Sequence, residues 1–342
     1  MARTVDPFVG RLLDLGLSEE LVSAAMPDWW EPTDSASNSA RTLASLLLAR
    51  RLSLDPRTLL NDNVPLGFLH TGPTKFNHMR LADGLRKQAL VAYAQGVGRV
   101  ALGAMSAGAV YDVPHDPLEL RADLLGSDNA FVSFGDVLAA CWSLGVPVLH
   151  LRVFPSTTKG VTAIAVRLGQ RHAILVARET GVEAQYMFNV AHELGHIALG
   201  HLKNVSAIVD ADPLDPANGV DELIDDDEEV AADEYAQSLL TGKPSFSVGR
   251  DAFSNSYGSA AELARIALDS SRSLRIDPGH IVMSFGFTTS DWALAMAAAK
   301  HLPQQKDAPG RLVNRVLWGQ LQPSRSQADE QARAYLEAVA PL

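Results

Sequence analysis

A single cysteine, Cys141, occurs in 342 residues. That excludes an intrachain disulfide and fits a reducing compartment. The residue lies in A-A-C-W-S-L, an apolar setting that makes it core filler rather than a nucleophile. No run approaches the roughly 18 uninterrupted apolar residues of a membrane span, so none is expected. The first sixteen residues mix Asp6, Arg11 and Asp14 with apolar ones, the wrong pattern for a secretory signal. A cytoplasmic location is expected. Positive charge is scarce as well: 29 lysines and arginines against 40 acids leave a net charge of −11. A general affinity for nucleic acid or anionic membrane is therefore not expected. What is present, 47% hydrophobic and 20% charged residues, suits a globular chain with a substantial core.

The informative stretch is Asn189 to His201, N-V-A-H-E-L-G-H-I-A-L-G-H. At about 100° per residue of α-helix, His192 and His196 fall on one face one turn apart. Two imidazoles so placed supply half of a tetrahedral Zn²⁺ site. Glu193 is offset by about 100° and can stand beside the metal as a base without ligating it. Val190, Ala191, Leu194, Ile197, Ala198 and Leu199 make the helix apolar, Gly195 lets another backbone approach, and Gly200 is a stop signal. A chance match on a surface helix rarely sits in so apolar a run.

A catalytic zinc takes a third protein ligand and keeps a fourth place for water. His201 points about 140° away from His196 on a continued helix and reads as a helix-end residue. The better candidate is Glu229 in E-V-A-A-D-E-Y-A-Q-S-L-L, with Glu228 and Glu222 as alternatives. Asp233 is one turn beyond Glu229 and suits acceptance of a ligand histidine's N–H. The competing reading is an acidic helix start favoured by the helix dipole.

Together, R-H-A-I-L-V-A-R (Arg171 to Arg178), A-H-E-L-G-H (Ala191 to His196) and E-x-x-A-D-x-Y-A-x-x-L-L (Glu229 to Leu240) resemble the ImmA/IrrE metallopeptidases. The resemblance covers about Val146 to Gly242. It implies zinc on His192, His196 and Glu229, with Glu193 as catalytic base. It also implies an intracellular protein substrate, a helix-turn-helix transcriptional repressor. The family has Phe where Tyr235 stands, and Met-Pro where this chain has Thr241-Gly242.

The expected fold class is α+β, mostly helical, with a three-stranded sheet packed on the zinc helix. Residues 1–63 read as short helices, resembling in T-L-A-S-L-L-L-A-R-R-L-S-L-D-P-R-T-L-L one end of a helix-turn-helix domain. Six arginines against nine acids there argue against operator binding, since a groove reader needs cations on one face. Trp29-Trp30 suits core or a contact patch. Residues 64–125 read as a helical linker carrying a basic patch of Lys75, Arg80, Arg86 and Lys87 around Asp83. Gly96 and Gly98 form no phosphate loop, because no strand precedes them and no G-K-[ST] follows.

The peptidase domain is expected over 126–245. Phe134 to Ser143 has helical spacing; Val146 to Phe154, Val161 to Arg167 and His172 to Arg178 read as strands, the last two forming a hairpin. Leu202 to Glu228 reads as an acidic loop, with nine acids and one cation, Lys203. Such a loop would select a basic target segment or lie solvated. A helical domain over 246–342 is expected, interrupted by a turn and short strand at Ile276 to Gly286, with His280 a possible oxyanion donor. Two rival functions remain: a zinc-stabilised regulatory module without proteolysis, and a DNA-binding transcription regulator.

Overall fold

The computed structural model describes residues 6–31, 37–69, 72–77, 84–105, 112–127, 129–155, 160–211, 226–245, 259–303, 306–323 and 326–342. Four helices open it: α1 (Pro7–Leu13), α2 (Glu19–Ala25), α3 (Asn38–Leu52) and α4 (Pro56–Leu59). Each begins where a side chain accepts an otherwise orphaned backbone N–H, from Asp6, Ser18, Ser37 and Asp55 respectively. The strand β1 (Thr74–Asn77) precedes the long α5 (Gly84–Ala104). Then follow α6 (Pro117–Leu125), α7 (Phe134–Ser143), β2 (Val148–His150), β3 (Val161–Leu168), β4 (Arg171–Val176), α8 (Glu183–Ala198), β5 (Ala207–Ala211) and α9 (Asp227–Thr241). The tail is α10 (Ala260–Leu274), α11 (Pro278–Thr289), α12 (Trp292–Ala299), α13 (Pro309–Gln320) and α14 (Gln327–Val339).

The fold is α+β, but the sheet has five strands, not the expected three, in the order β1-β5-β3-β4-β2. The expected hairpin is there: β3 and β4 pair antiparallel across Gly169-Gln170, with Gly169 at φ +71°, a backbone region that glycine enters without strain. The two extra strands are short and lie where the sequence carries other signals. β1 reads T-K-F-N, with one large apolar residue, inside the presumed helical linker. β5 reads A-I-V-D-A, inside the presumed acidic loop. Pairing with β3 on one side and β1 on the other decides their structure.

Both faces of the sheet are covered, so β3 and β4 at its middle are largely apolar on both faces rather than alternating with polar residues. Ala165, Ile174 and Ile208 pack with α8 residues Val190, Ala191 and Leu194. Ile164, Leu175 and Val209 point the other way, into a core shared with α5, the N-terminal helices and α14. In α5, Gly96 is where the helix crosses α3 and Gly98 is where it lies against the sheet. A Cβ on Gly96 would lie 2.1 Å from the Arg51 carbonyl oxygen of α3, and one on Gly98 would lie 2.9 Å from Leu168. Trp30 packs against this core, while Trp29 is 38% exposed.

The β2 edge is covered by the tail. Asn314 of α13 accepts the His150 N–H and donates to the His150 carbonyl, both at 2.9 Å, as a neighbouring strand would. The expected turn and strand at Ile276 to Gly286 is instead α11. Asp277 caps it and Pro278 occupies its first position, the usual chemistry of a helix start. Its run I-V-M-S-F, two β-branched residues followed by three that are not, is buried against α10 and α12 as a helix.

Candidate metal centre

Three elements meet at the site. Helix α8 presents His192, Glu193 and His196; α9 presents Glu229 and Asp233; β5 presents Asp210. Gly195 lets the two helices approach. A Cβ there would sit 3.1 Å from both the Ala232 carbonyl oxygen and the Tyr235 Cβ. Tyr235, packed at that approach, donates its hydroxyl to the Pro114 carbonyl at 2.9 Å and so ties α9 to the segment before α6.

His192, His196, Asp210 and Glu229 each offer a ligand atom, all within 4.8 Å of one another, and together could hold a metal ion. His192 Nε2 lies 3.1 Å from His196 Nε2, 3.4 Å from Asp210 Oδ2 and 3.5 Å from Glu229 Oε2. His196 Nε2 lies 3.3 Å from Glu229 Oε1 and 3.8 Å from Asp210 Oδ2. A tetrahedron with centre-to-corner distances of about 2.0–2.1 Å has edges of about 3.3–3.4 Å, so these atoms enclose space for a small cation. The histidine orientation fits too. His192 Nδ1 is 2.8 Å from Asp233 Oδ1, and His196 Nδ1 is 2.8 Å from His201 Nδ1. With both Nδ1 atoms protonated and donating, both Nε2 lone pairs face the shared centre, an arrangement that a cation favours.

Electrostatics follow the crowding. Burial works against a charged His192, but hydrogen bonds to Asp210, Asp233 and Glu229 raise its pKa well above the ordinary value. Burial opposes the charge of Glu229 as well, yet the two histidines hold it well below the carboxylate range. Glu193 goes the other way: burial, then the negative charge of Asp210, push it well above its ordinary value. It is 1% exposed, and neither carboxylate oxygen has a hydrogen-bond partner.

The cluster opens onto a cavity of about 710 Å³ whose other wall is apolar: Phe188, Met283, Phe287, Trp292 and Met296. His280 lines the same cavity, stacked on Phe188 with ring centroids 6.2 Å apart. Its Nε2 is 3.4 Å from Gln237 Oε1. Burial lowers its pKa to about 4, so near neutrality it is an uncharged imidazole.

His192, Glu193, His196, Glu229 and Asp233 thus meet as a group, with His280 farther along the cavity. Asp210 and Asn77 carry no role in the sequence reading, and His201, read as a helix-end residue, also meets His196. Asp210 is the one acid in an otherwise apolar pentapeptide, a buried charge that marks a candidate site. His201 follows Gly200, whose left-handed backbone (φ +77°) ends α8 and turns the chain back. Asn77, a register partner of Asp210 across β1 and β5, carries no motif. Of the presumed acidic loop, residues 212–225 lie outside the described residues, Glu222 among them, as do Arg80 and Asp83 of the basic patch. Lys75 of that patch binds Asp226 at 2.5 Å and Glu228 at 2.7 Å. Among the described residues no helix is long and apolar enough to cross a membrane. Comparison with protein-family models, with curated proteins and with solved structures finds no match, so the assignment of this centre rests on its residues and their arrangement.

Proposed function

We propose that the chain is a zinc-dependent endopeptidase of the ImmA/IrrE type, acting on an intracellular protein, with a helix-turn-helix repressor as the substrate class. The carrying observation is Glu193: a buried carboxyl with both oxygens unpartnered, beside a metal-ligand cluster, at the wall of a substrate-sized cavity. A purely structural metal site has no use for such a group. The substrate class comes from the sequence resemblance alone.

His192, His196 and Glu229 would hold the zinc, whose nitrogen-rich donor set suits that ion. When bound, Zn²⁺ supplies a Lewis acid that lowers the pKa of water to about 7 and polarises a carbonyl. Glu193 takes a proton from the attacking water and delivers it to the leaving amine. Its raised pKa suits the second half of that task, and a nearby cation restores its basicity for the first. Asp233 and His201 keep the ligand imidazoles in the tautomer that presents Nε2. The apolar wall shields the reacting carbonyl from solvent, which strengthens each of these interactions. The uncharged His280 would be an oxyanion donor with its proton on Nδ1; with the proton on Nε2 it donates to Gln237 Oε1 instead.

Asp210 favours a second reading, a metal-stabilised regulatory module, because it brings a fourth protein ligand to the cluster. The charge of the N-terminal region weighs against a DNA-binding regulator. The deciding experiment is Glu193→Gln. It retains zinc at wild-type stoichiometry and loses cleavage of a candidate repressor by at least a hundred-fold. Undiminished cleavage by that variant would remove the peptidase reading, and zinc-loaded wild-type protein that leaves such repressors intact would favour the regulatory module.

A further inference from the structure

We infer that Asp210 is a fourth protein ligand, held in place by Asn77, so that the metal's remaining position is closed in this conformation and opens only when Asp210 withdraws. The inference rests on the metal-peptidase reading and concerns how that same site is controlled.

Asp210 Oδ2 is buried and faces the shared centre, 3.4 and 3.8 Å from the Nε2 atoms of His192 and His196, close to the edge lengths of a tetrahedral metal site and longer than an ordinary hydrogen bond. A desolvated carboxylate needs a compensating charge, and with both Nε2 lone pairs facing the same centre a cation there supplies it. Its other oxygen is committed. Asn77 Nδ2 donates to Asp210 Oδ1 at 2.7 Å and to Glu229 Oε1 at 2.6 Å. One amide therefore spans two ligand carboxylates that come from different elements.

The strand register makes this contact. Asn77 stands directly opposite Asp210 in the parallel β1–β5 pair, and registered residues on neighbouring strands share a face. Lys75, two residues back and so on that face, binds Asp226 and Glu228 where α9 begins. β1 thus clamps β5 and the start of α9 around the metal position, and Asn77 is a positioning residue. Among the described residues β1 is also an edge strand, four residues long, with β5 as its one neighbour. An edge strand can be exchanged for another extended segment without dismantling the core. Its departure frees Asn77, releases Asp210, and bares the β5 edge where an extended substrate can add as a strand.

The test uses the full chain loaded with Co²⁺, with acetohydroxamate as a chelating probe that needs a vacant coordination place. Visible absorption of the cobalt centre is the readout. The probe binds Asp210→Ala at least ten-fold more tightly than wild type, and Asn77→Ala moves in the same direction. Asp210→Asn, which keeps the side-chain shape, reports the same tightening should the alanine variant fail to fold. Metal affinity, measured by competition, falls roughly 10–100-fold in Asn77→Ala, as for other groups that orient ligands. Equal probe affinity in wild type and both Asp210 variants overturns the closed centre while leaving the metal site standing. Failure of wild type to bind Co²⁺, or undiminished binding by His192→Ala, overturns the metal-peptidase reading itself and this inference with it.

Discussion

Glu193 and His192 are adjacent in sequence, yet their surroundings shift their charge states in opposite directions. Burial and the Asp210 charge favour a protonated Glu193, while three carboxylates favour a protonated His192. Away from the centre the same physics sets the acid stability of the fold. Burial lowers His150 to about 4 despite Glu179 nearby, and lowers His172 to about 4 with help from Arg167, against an ordinary value of 6.5. Between those values the folded chain binds fewer protons than the unfolded chain, so these two histidines cost stability as pH falls from 6.5 to 4. Asp277 opposes them. Burial raises it from 3.8 to about 6, so in that window the folded chain holds an extra proton and gains stability as pH falls. Asp277→Asn keeps a side-chain cap on α11 and removes the opposing contribution. Its melting temperature should therefore drop more steeply between pH 6.5 and 4 than that of wild type, and at pH 7.5 it should match or exceed it. Parallel melting curves in the two proteins would refute this account of Asp277.

At the level of elements, glycines at helix crossings decide where the site can form. Gly195 allows α9 close enough to α8 for Glu229 to meet the histidines, and Gly96 allows α5 to lie against α3 beneath the sheet. The second contact is the tighter, because what a Cβ would strike at 2.1 Å is main chain, with no rotamer by which to yield. Gly96→Ala should destabilise the protein by about 1–3 kcal/mol or more, the range for overpacked interiors, despite the better helix propensity of alanine. A urea midpoint at or above the wild-type value would show that the crossing relaxes more easily than the geometry suggests.

On the scale of the whole molecule, the N-terminal helices share a core with α5, one face of the sheet and α14. Arg51 of α3 donates to the Gln331 carbonyl at 2.8 Å, and the Tyr335 hydroxyl donates back to the Arg51 carbonyl at 3.0 Å. The metal-ligand cluster joins the other face, through α8, α9 and β5. A cation bound there links segments far apart in the chain and stabilises the folded state by mass action. At free metal about 100-fold above its Kd the gain is about 2.7 kcal/mol. Stripping metal with a chelator should lower the melting temperature, and zinc should restore it. His196→Ala should melt at one temperature with or without zinc; a zinc-dependent shift in that variant would place the stabilising ion elsewhere.

The two histidines and Glu193 could be read from the chain because they lie within five residues on one helix, where spacing alone fixes direction. The Gly195 approach, the β3–β4 hairpin and α7 were readable for the same reason: each is a local pattern with one geometric meaning. Glu229 and Asp233 follow the same rule within α9, although their partner lies across the fold. Asp210, His201 and Asn77 carry no such pattern. Two of them sit on strands too short to declare themselves, and the third lies past a helix end whose exit angle is set by one glycine. Their meeting depends on which strand pairs with which, and in what register. For Asn77 and Asp210 that is a property of the assembled sheet, which brings together residues 133 positions apart.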